Sequence, residues 1–197
     1  MESRITIIVT CRETDTPDIT LRSLMEQDYQ NYELIVVRDE GKGANYARNK
    51  GFKKVDTKFV LFSDNDIVWR KDGITNLLEA LKSRPDKSYA YGAYYLLNED
   101  KIVCSEEFDA SLLRERNYVS TMTLVRTKDF LGFDESITNF QDWDAWLTML
   151  DADKEGINCG KIIFDTISIP RDMEDGEVHR LVNIVKRKHE VQSGSRK

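Results

Sequence analysis

The chain is short of several things, and each shortage removes a class of protein. Its three cysteines, Cys11, Cys104 and Cys159, are odd in number and far apart, with no CxxC pair. A disulfide framework and the usual zinc spacings are therefore excluded, and the thiols read as reduced, in a cytosolic protein. Three prolines and ten glycines in 197 residues form no linker, and no internal repeat is visible. Apolar runs are strand-length, below the about 18 residues that a membrane span needs. Met1 leads through a few polar residues into a strand, without a signal-peptide h-region. Work at a membrane would need a partner or an amphipathic tail. A basic excess is missing too, because the formal net charge is −6 with both signs spread along the chain. That balance weighs against nucleic acid as partner, while a nucleotide, needing a few donors and a metal, stays open.

What is present suits one sizeable core. An apolar content of 40% and this length favour a single domain over 1–197. The first half alternates strand and helix. "RITIIVT" is β-branched and without helical period, so a buried strand. "TPDITLRSLMEQ" follows as a helix, with Thr16 as N-cap and Pro17 in the first helical position. "YELIVVRD" is a strand, "GANYARNKGFKK" a helix with Gly43 at its start and Gly51 as its stop, and "TKFVLFSD" a third strand. "ITNLLEALKS" is a third helix, ended by Pro85. This order predicts a mostly parallel α/β sheet with crossover helices.

The second half is mixed. "YAYGAYYLL" and "KIVCS" read as a hairpin, "STMTLVR" and "KIIFDTISI" as strands, and "DWDAWLTMLDA" as a helix with Trp143, Trp146, Leu147 and Leu150 facing inward. "EVHRLVNIVKRKHE" is amphipathic, with Val178, Leu181, Val182 and Val185 on one stripe. His189 in its basic tail is expected in solvent, and 191–197 is expected to be disordered.

The stretch "FVLFSDNDIVW" poses a chemical problem. Asp64 and Asp66 stand where an apolar strand runs out, and neighbouring carboxylates repel each other. In open parallel sheets ligands bind beyond the carboxyl ends of the strands. Asp39 ends the second strand and the Asp-x-Asp turn ends the third, so all three acids share one rim. Such a turn can hold a divalent cation, which in turn can grip a diphosphate. Plain turn carboxylates are the bland alternative.

Five segments, in order, resemble the family 2 glycosyltransferases of the GT-A fold. They are "TIIVTCRE", "LRSLMEQDYQNYELIVVRDE", "GANYARNKG", "FVLFSDNDI" and "LGFDESITNFQDWDAWL". The resemblance covers nearly the whole chain. It implies a GT-A, Rossmann-like sheet flanked by helices, with a smaller antiparallel acceptor-side portion. Residues 1–104 would form the nucleotide-sugar half and 105–190 the acceptor half.

The implied activity is metal-dependent inverting transfer of a sugar from a nucleoside-diphosphate donor to an acceptor hydroxyl, with Mn2+ or Mg2+ as cofactor. Thr10, Cys11, Arg12, Glu13 and Asp39 would take the base and ribose, and Arg48 the diphosphate. Asp64 and Asn65 would contact the nucleotide sugar, Asp64 near ribose and metal-bound water. Asp64 and Asp66 would form the metal site, with Asp66 touching the cation directly and His179 as a further ligand. Asp142 would be the base. The pair that holds it in the family has an acid before it, where this chain has Gln141. Trp143 and Asp144 are expected on the acceptor side, Trp143 and Trp146 as a sugar platform, with core packing at helical spacing as the alternative for at least one of the two rings. "DEG" stands where the family often has "DGS", so uridine is the default base and guanosine and thymidine stay open. The acceptor would be a glycan, a lipid-linked sugar or a small molecule. The expected location is cytoplasmic, up to the inner face of a membrane with peripheral contact at most.

Two other functions compete. Gln141 would suit a non-catalytic nucleotide-sugar or glycan-binding module of the same fold. A nucleotidyltransferase would share the metal acids, but "TCRETDTPD" lacks the glycine-rich loop such enzymes carry after the first strand.

Overall fold

The computed structural model describes residues 4–103, 105–167 and 174–194. Cys104, the last two residues of the "KIIFDTISI" strand and the final three of the expected tail lie outside them.

The three opening strands are β1 (Ile5–Cys11), β2 (Tyr32–Arg38) and β3 (Phe59–Asp64), with α1 (Asp18–Met25) and α2 (Ala44–Phe52) as crossovers. β1 lies between the other two and runs parallel to both, in registers Ile5↔Tyr32 and Ile5↔Phe59. All seven residues of β1 are buried, as a strand covered on both faces requires. Its side chains alternate between two cores. Ile5, Ile7 and Val9 join Leu24, Leu61 and Leu77 on one face, and Ile8 joins Val60, Phe62 and Trp146 on the other.

Beyond β3 the sheet mixes direction. The remaining strands are β4 (Val68–Trp69), β5 (Tyr89–Leu96), β6 (Lys101–Val103), β7 (Leu124–Arg126) and β8 (Gly156–Thr166). The order is β2-β1-β3-β7-β5-β8-β4, with β6 paired to β5 as the predicted hairpin. β7 is antiparallel to β3 and β5, and β5 is parallel to β8. So β1, β2, β3, β5 and β8 point the same way, and their carboxyl ends share one rim. The helices α3 (Gly73–Ser83), α4 (Ala110–Glu115), α5 (Gln141–Asp151) and α6 (Asp175–Gly194) complete the chain.

Three local expectations shift. α1 begins at Asp18 with Pro17 as its capping residue, one position later than predicted. Gly51 does not stop α2 but lies within it. A β-carbon there would sit 2.6 Å from Ile8 Cγ2, so the glycine sets how closely α2 approaches β1. The C-terminal helix continues to Gly194, four residues into the segment expected to be disordered. Among the described residues no helix is long and apolar enough to cross a membrane.

Candidate active site

The rim carries two adjoining cavities. The larger, about 820 Å³, is lined by Thr10, Cys11 and Arg12 at the end of β1, Asp39 after β2, and Asp64, Asn65 and Asp66 after β3. The smaller, about 420 Å³, holds Asp142, Tyr94 and Asn117. Arg48, Asp64, Thr138, Asn139 and Gln141 line both, so they form the partition. Each cavity draws residues from both halves of the chain.

The acidic tip is held from behind. Thr20 of α1 donates its hydroxyl to the carbonyls of Asp64 (3.1 Å) and Ile67 (2.8 Å) and accepts from Ile67 N–H. Trp69 Nε1 donates to Ser63 Oγ at 3.0 Å. These bonds fix the turn, leaving Asp66 exposed and Asp64 half-buried. Desolvation first, and the charge of Asp64 second, push the Asp66 carboxyl above its ordinary pKa. Paired hard oxygens carrying mutual repulsion fit a divalent cation. Among the described residues no three His, Cys, Asp or Glu side chains gather into a metal cluster. A cation at this tip would therefore need phosphate and water oxygens to complete its shell.

Asp39 donates its N–H to Cys11 O (3.0 Å) and receives Gly41 N–H on Oδ1 (3.1 Å), so the acid is both a turn former and a cavity residue. Arg38, unremarked in the sequence, gathers the β1–α1 loop by donating to the carbonyls of Arg12, Glu13 and Asp15. Glu13 lies on that loop but lines neither cavity. Cys11 is buried, and burial raises its thiol pKa, so it is a wall rather than a nucleophile. Among the described residues Cys11 and Cys159 are free thiols.

Arg48 is 4% exposed. One end of its guanidinium donates to Asp64 Oδ1 at 2.8 Å; the other reaches Asn45 Oδ1 and Gln141 Oε1, each at 3.2 Å. Asn45 then donates to the carbonyls of Asp134 (2.7 Å) and Ile137 (3.2 Å). Asn49 brackets Phe133, donating to its carbonyl at 2.8 Å and accepting from its N–H at 2.9 Å. The "ANYARN" and "GFDESI" segments, 84 to 92 residues apart along these bonds, are thereby locked together.

That lock leads into α5. Phe140, its capping residue, sits at φ 56°, a left-handed conformation that costs a non-glycine residue about 1–3 kcal/mol. The turn presents Gln141 and Asp142 to the smaller cavity. Burial of the Asp142 carboxyl pushes its pKa up, opposed in part by hydrogen bonds from Trp143 N–H and Asn117 and by the charge of Arg48. Tyr94 is raised likewise, by burial and then by the charge of Asp142, which places phenol and carboxylate within electrostatic reach.

Four expectations about this region are overturned. Trp143 and Trp146 are 2% and 0% exposed, with Nε1 donating to Leu113 O and Val119 O. Both rings are core, so neither is a sugar platform. Asp144 is buried against α6, where Lys188 reaches it at 2.8 Å and His189 Nε2 at 3.0 Å, and cannot meet an acceptor. His189, expected in solvent, is 2% exposed, its other nitrogen 2.7 Å from Asp151 Oδ2. The helical stripe containing Val185 folds back onto α5 and takes His189 with it. His179 lies exposed on α6 and lines neither cavity, so the structure does not bring it to the acidic tip.

Several lining residues escaped the sequence reading. Tyr94 sat in a strand read only as one arm of a hairpin. Irregular β5–β8 pairing around Gly92 and Ala93 comes just before it, and such irregularities re-aim side chains. Asn117, Ser120 and Thr121 precede β7 with no motif to mark them. Asn45 stood within a quoted segment, without a role.

Comparison with known proteins matches this geometry. The family model for Glycosyl transferase family 2 matches residues 37–128, from the end of β2 to just past β7. UDP-Glc:alpha-D-GlcNAc-diphosphoundecaprenol beta-1,3-glucosyltransferase WfgD of Escherichia coli is 26% identical over 180 residues, covering 75% of this chain and 70% of that protein. The chain is similar to glycosyl transferase family 2 over just under half of its length.

The family 2 match contains Asp39, Arg48, Asp64 and Asp66 but ends before Asp142. Solved structures extend the likeness through the second half. S. aureus TarS 1-349 in complex with UDP-GlcNAc superposes with a TM-score of 0.72 at 15% identity, covering 92% of this chain and 66% of that one. Mannosyltransferase PcManGT from Pyrobaculum calidifontis, in complex with GDP-Man and Mn2+, gives 0.65 at 16% identity, covering 98% of this chain and 63% of that one. The fold of this chain is GT-A.

Proposed function

We propose that this domain transfers a sugar, with inversion, from a nucleoside-diphosphate donor in the larger cavity to an acceptor hydroxyl in the smaller one. The observation that carries this reading is the partition. A buried arginine paired to the first acid of the Asp-x-Asp turn separates a cleft rimmed by Asp39, Asp64 and Asp66 from one containing a carboxylate of raised pKa.

In this scheme Thr10, Arg12 and Asp39 receive the nucleoside, Asp39 accepting a base N–H or a ribose hydroxyl. Arg48 faces the diphosphate with its planar fork. Asp142 accepts the proton of the acceptor hydroxyl as that oxygen bonds to the anomeric carbon and the carbon–diphosphate bond breaks on the far side. A carboxylate of raised pKa is a stronger base for that step than an ordinary one. Asp64 and Asp66 would hold Mn2+ or Mg2+, which would supply positive charge against the departing diphosphate.

UDP is the default donor nucleotide, supported by the UDP-Glc in WfgD's name and the UDP-GlcNAc bound to TarS; the GDP-Man in PcManGT keeps GDP in the test. WfgD's name also specifies a diphosphoundecaprenol-linked acceptor, which supports work at the inner face of a membrane. The deciding experiment is donor turnover with purified protein. UDP-Glc, UDP-GlcNAc and GDP-Man are each incubated with and without Mn2+, and nucleoside diphosphate release is followed. Metal-dependent release that Asp142→Asn abolishes in the presence of acceptor supports the enzyme. Binding of all three donors without release would turn the reading to a non-catalytic module.

A further inference from the structure

We infer that the smaller cavity is a subsite for an uncharged sugar ring of the acceptor, seated on Tyr94 and held by Ser120, so that acceptors presenting an anionic group at the reacting unit are disfavoured. This rests on the proposed transfer reaction, which makes the cavity containing Asp142 the acceptor's.

Three observations carry it. Tyr94 is half-buried and its ring stacks on Phe164 with centroids 5.0 Å apart and planes 8° from parallel. Phe164, itself 1% exposed, fixes the tyrosine ring from behind while both line the cavity. A fixed aromatic ring beside open space suits the C–H face of a pyranose, and the phenol adds a polar tip for its hydroxyls.

The second observation is an unmet hydrogen bond. Ser120 Oγ is buried and, among the described residues, has no partner. Buried hydroxyls are nearly always bonded, so one without a partner in a cavity wall calls for a ligand or water. Thr121, Thr138, Asn139 and Thr166 add further neutral groups that both donate and accept, as a ring of hydroxyls requires.

The third is charge. The charged lining is one guanidinium, Arg48, and two carboxylates, Asp64 and Asp142. Arg48 is already engaged by Asp64 at 2.8 Å. Asp142 is left over, so among the described residues the charged lining is net negative and its one cation is already paired with Asp64. Were the reacting unit a polyol phosphate or a uronate, its charge would enter that field unpaired.

The experiment is saturation-transfer NMR on the purified full chain in the presence of UDP and Mn2+. The probes are methyl β-D-glucopyranoside, methyl β-D-N-acetylglucosaminide, glycerol 3-phosphate and D-glucuronate. At least one neutral glycoside is expected to bind, and neither anion. Tyr94→Ala should weaken glycoside binding by at least about tenfold, and Ser120→Ala by about threefold to tenfold. The affinity of UDP should change in neither variant. Ser120→Ala removes one oxygen and tests the subsite should Tyr94→Ala fold poorly. Tighter binding of either anion than of the glycosides would overturn the inference. So would failure of both glycosides while UDP binds, which leaves the donor reading standing. Glycoside binding with no binding of UDP, GDP or dTDP would instead sink the transferase reading.

Discussion

Arg48 and Asp64 meet at 2.8 Å on the wall shared by the two cavities. The pair ties α2 to the tip of β3, and through Gln141 it ties both to the start of α5. The two cavities therefore share one electrostatic hinge point, and loss of either charge should be felt on both sides.

Arg48→Lys tests that point. Lysine keeps the charge but cannot span Asp64, Asn45 and Gln141 with one planar fork. Losing one or two charge-assisted hydrogen bonds should weaken donor affinity by roughly ten- to hundredfold, measured by calorimetry with UDP and Mn2+. Unchanged affinity would remove Arg48 from the donor site.

Asp142→Asn should lower transfer by about 10²–10⁴-fold while sparing donor affinity. As the proposed base, Asp142 would work deprotonated, and burial raises its pKa. In the wild type, kcat/KM should therefore fall as pH drops through a value above the ordinary aspartate range of about 3.9. A pH–rate profile whose acid limb survives in the asparagine variant would assign the proton to another group.

Asp66→Ala should cut both metal and donor affinity. With UDP and Mn2+ at about 100 times their dissociation constant, the wild type should gain ~2.7 kcal/mol of stability, visible as a thermal shift. The variant should lose most of that gain, and EDTA should abolish it in the wild type. Since Asp66 is held above its ordinary pKa, Mn2+ affinity should also decline as pH falls through that raised value. A thermal shift indifferent to Mn2+ would contradict the assignment.

His189→Ala leaves Asp144 and Asp151 buried with one partner fewer. Breaking such a buried polar network costs about 3–5 kcal/mol, which urea unfolding would register. Nearby, hydrogen bonds from Lys188 and Ser136 lower the Asp134 carboxyl to about 2. Its folded pKa lies below its unfolded one, so its contribution is present above about pH 4 and lost as pH falls toward 2. Acid titration should release α6 from α5 across that window, followed by the fluorescence of Trp143.

Gly51→Ala sets two effects against each other. Alanine in a helix gains about 1 kcal/mol over glycine. The new β-carbon meets the stiff, fully buried Ile8 at 2.6 Å, and overpacking costs about 1–3 kcal/mol. Net destabilisation is expected on thermal unfolding.

The sequence by itself determined the elements and the rim. Strand and helix periodicities are local, so β1 to β3, their crossover helices and the carboxylates at the strand ends could be read from short windows. Parallel connectivity then put Asp39, Asp64 and Asp66 on one edge, because right-handed crossovers leave few alternatives. Tertiary structure decided which polar groups are spent on structure. Asp144 and His189 look like surface residues in any window; only the docking of α6 on α5 turns them into a buried cluster. Trp143 and Trp146 share a helix with Asp142, yet the turn at Phe140 gives the cavity to the acid and the core to the rings. Asn45 and Asn49 take their meaning from a loop more than eighty residues away. Such pairings depend on where backbone carbonyls fall once the sheet is assembled, and no residue type or spacing along the chain encodes that.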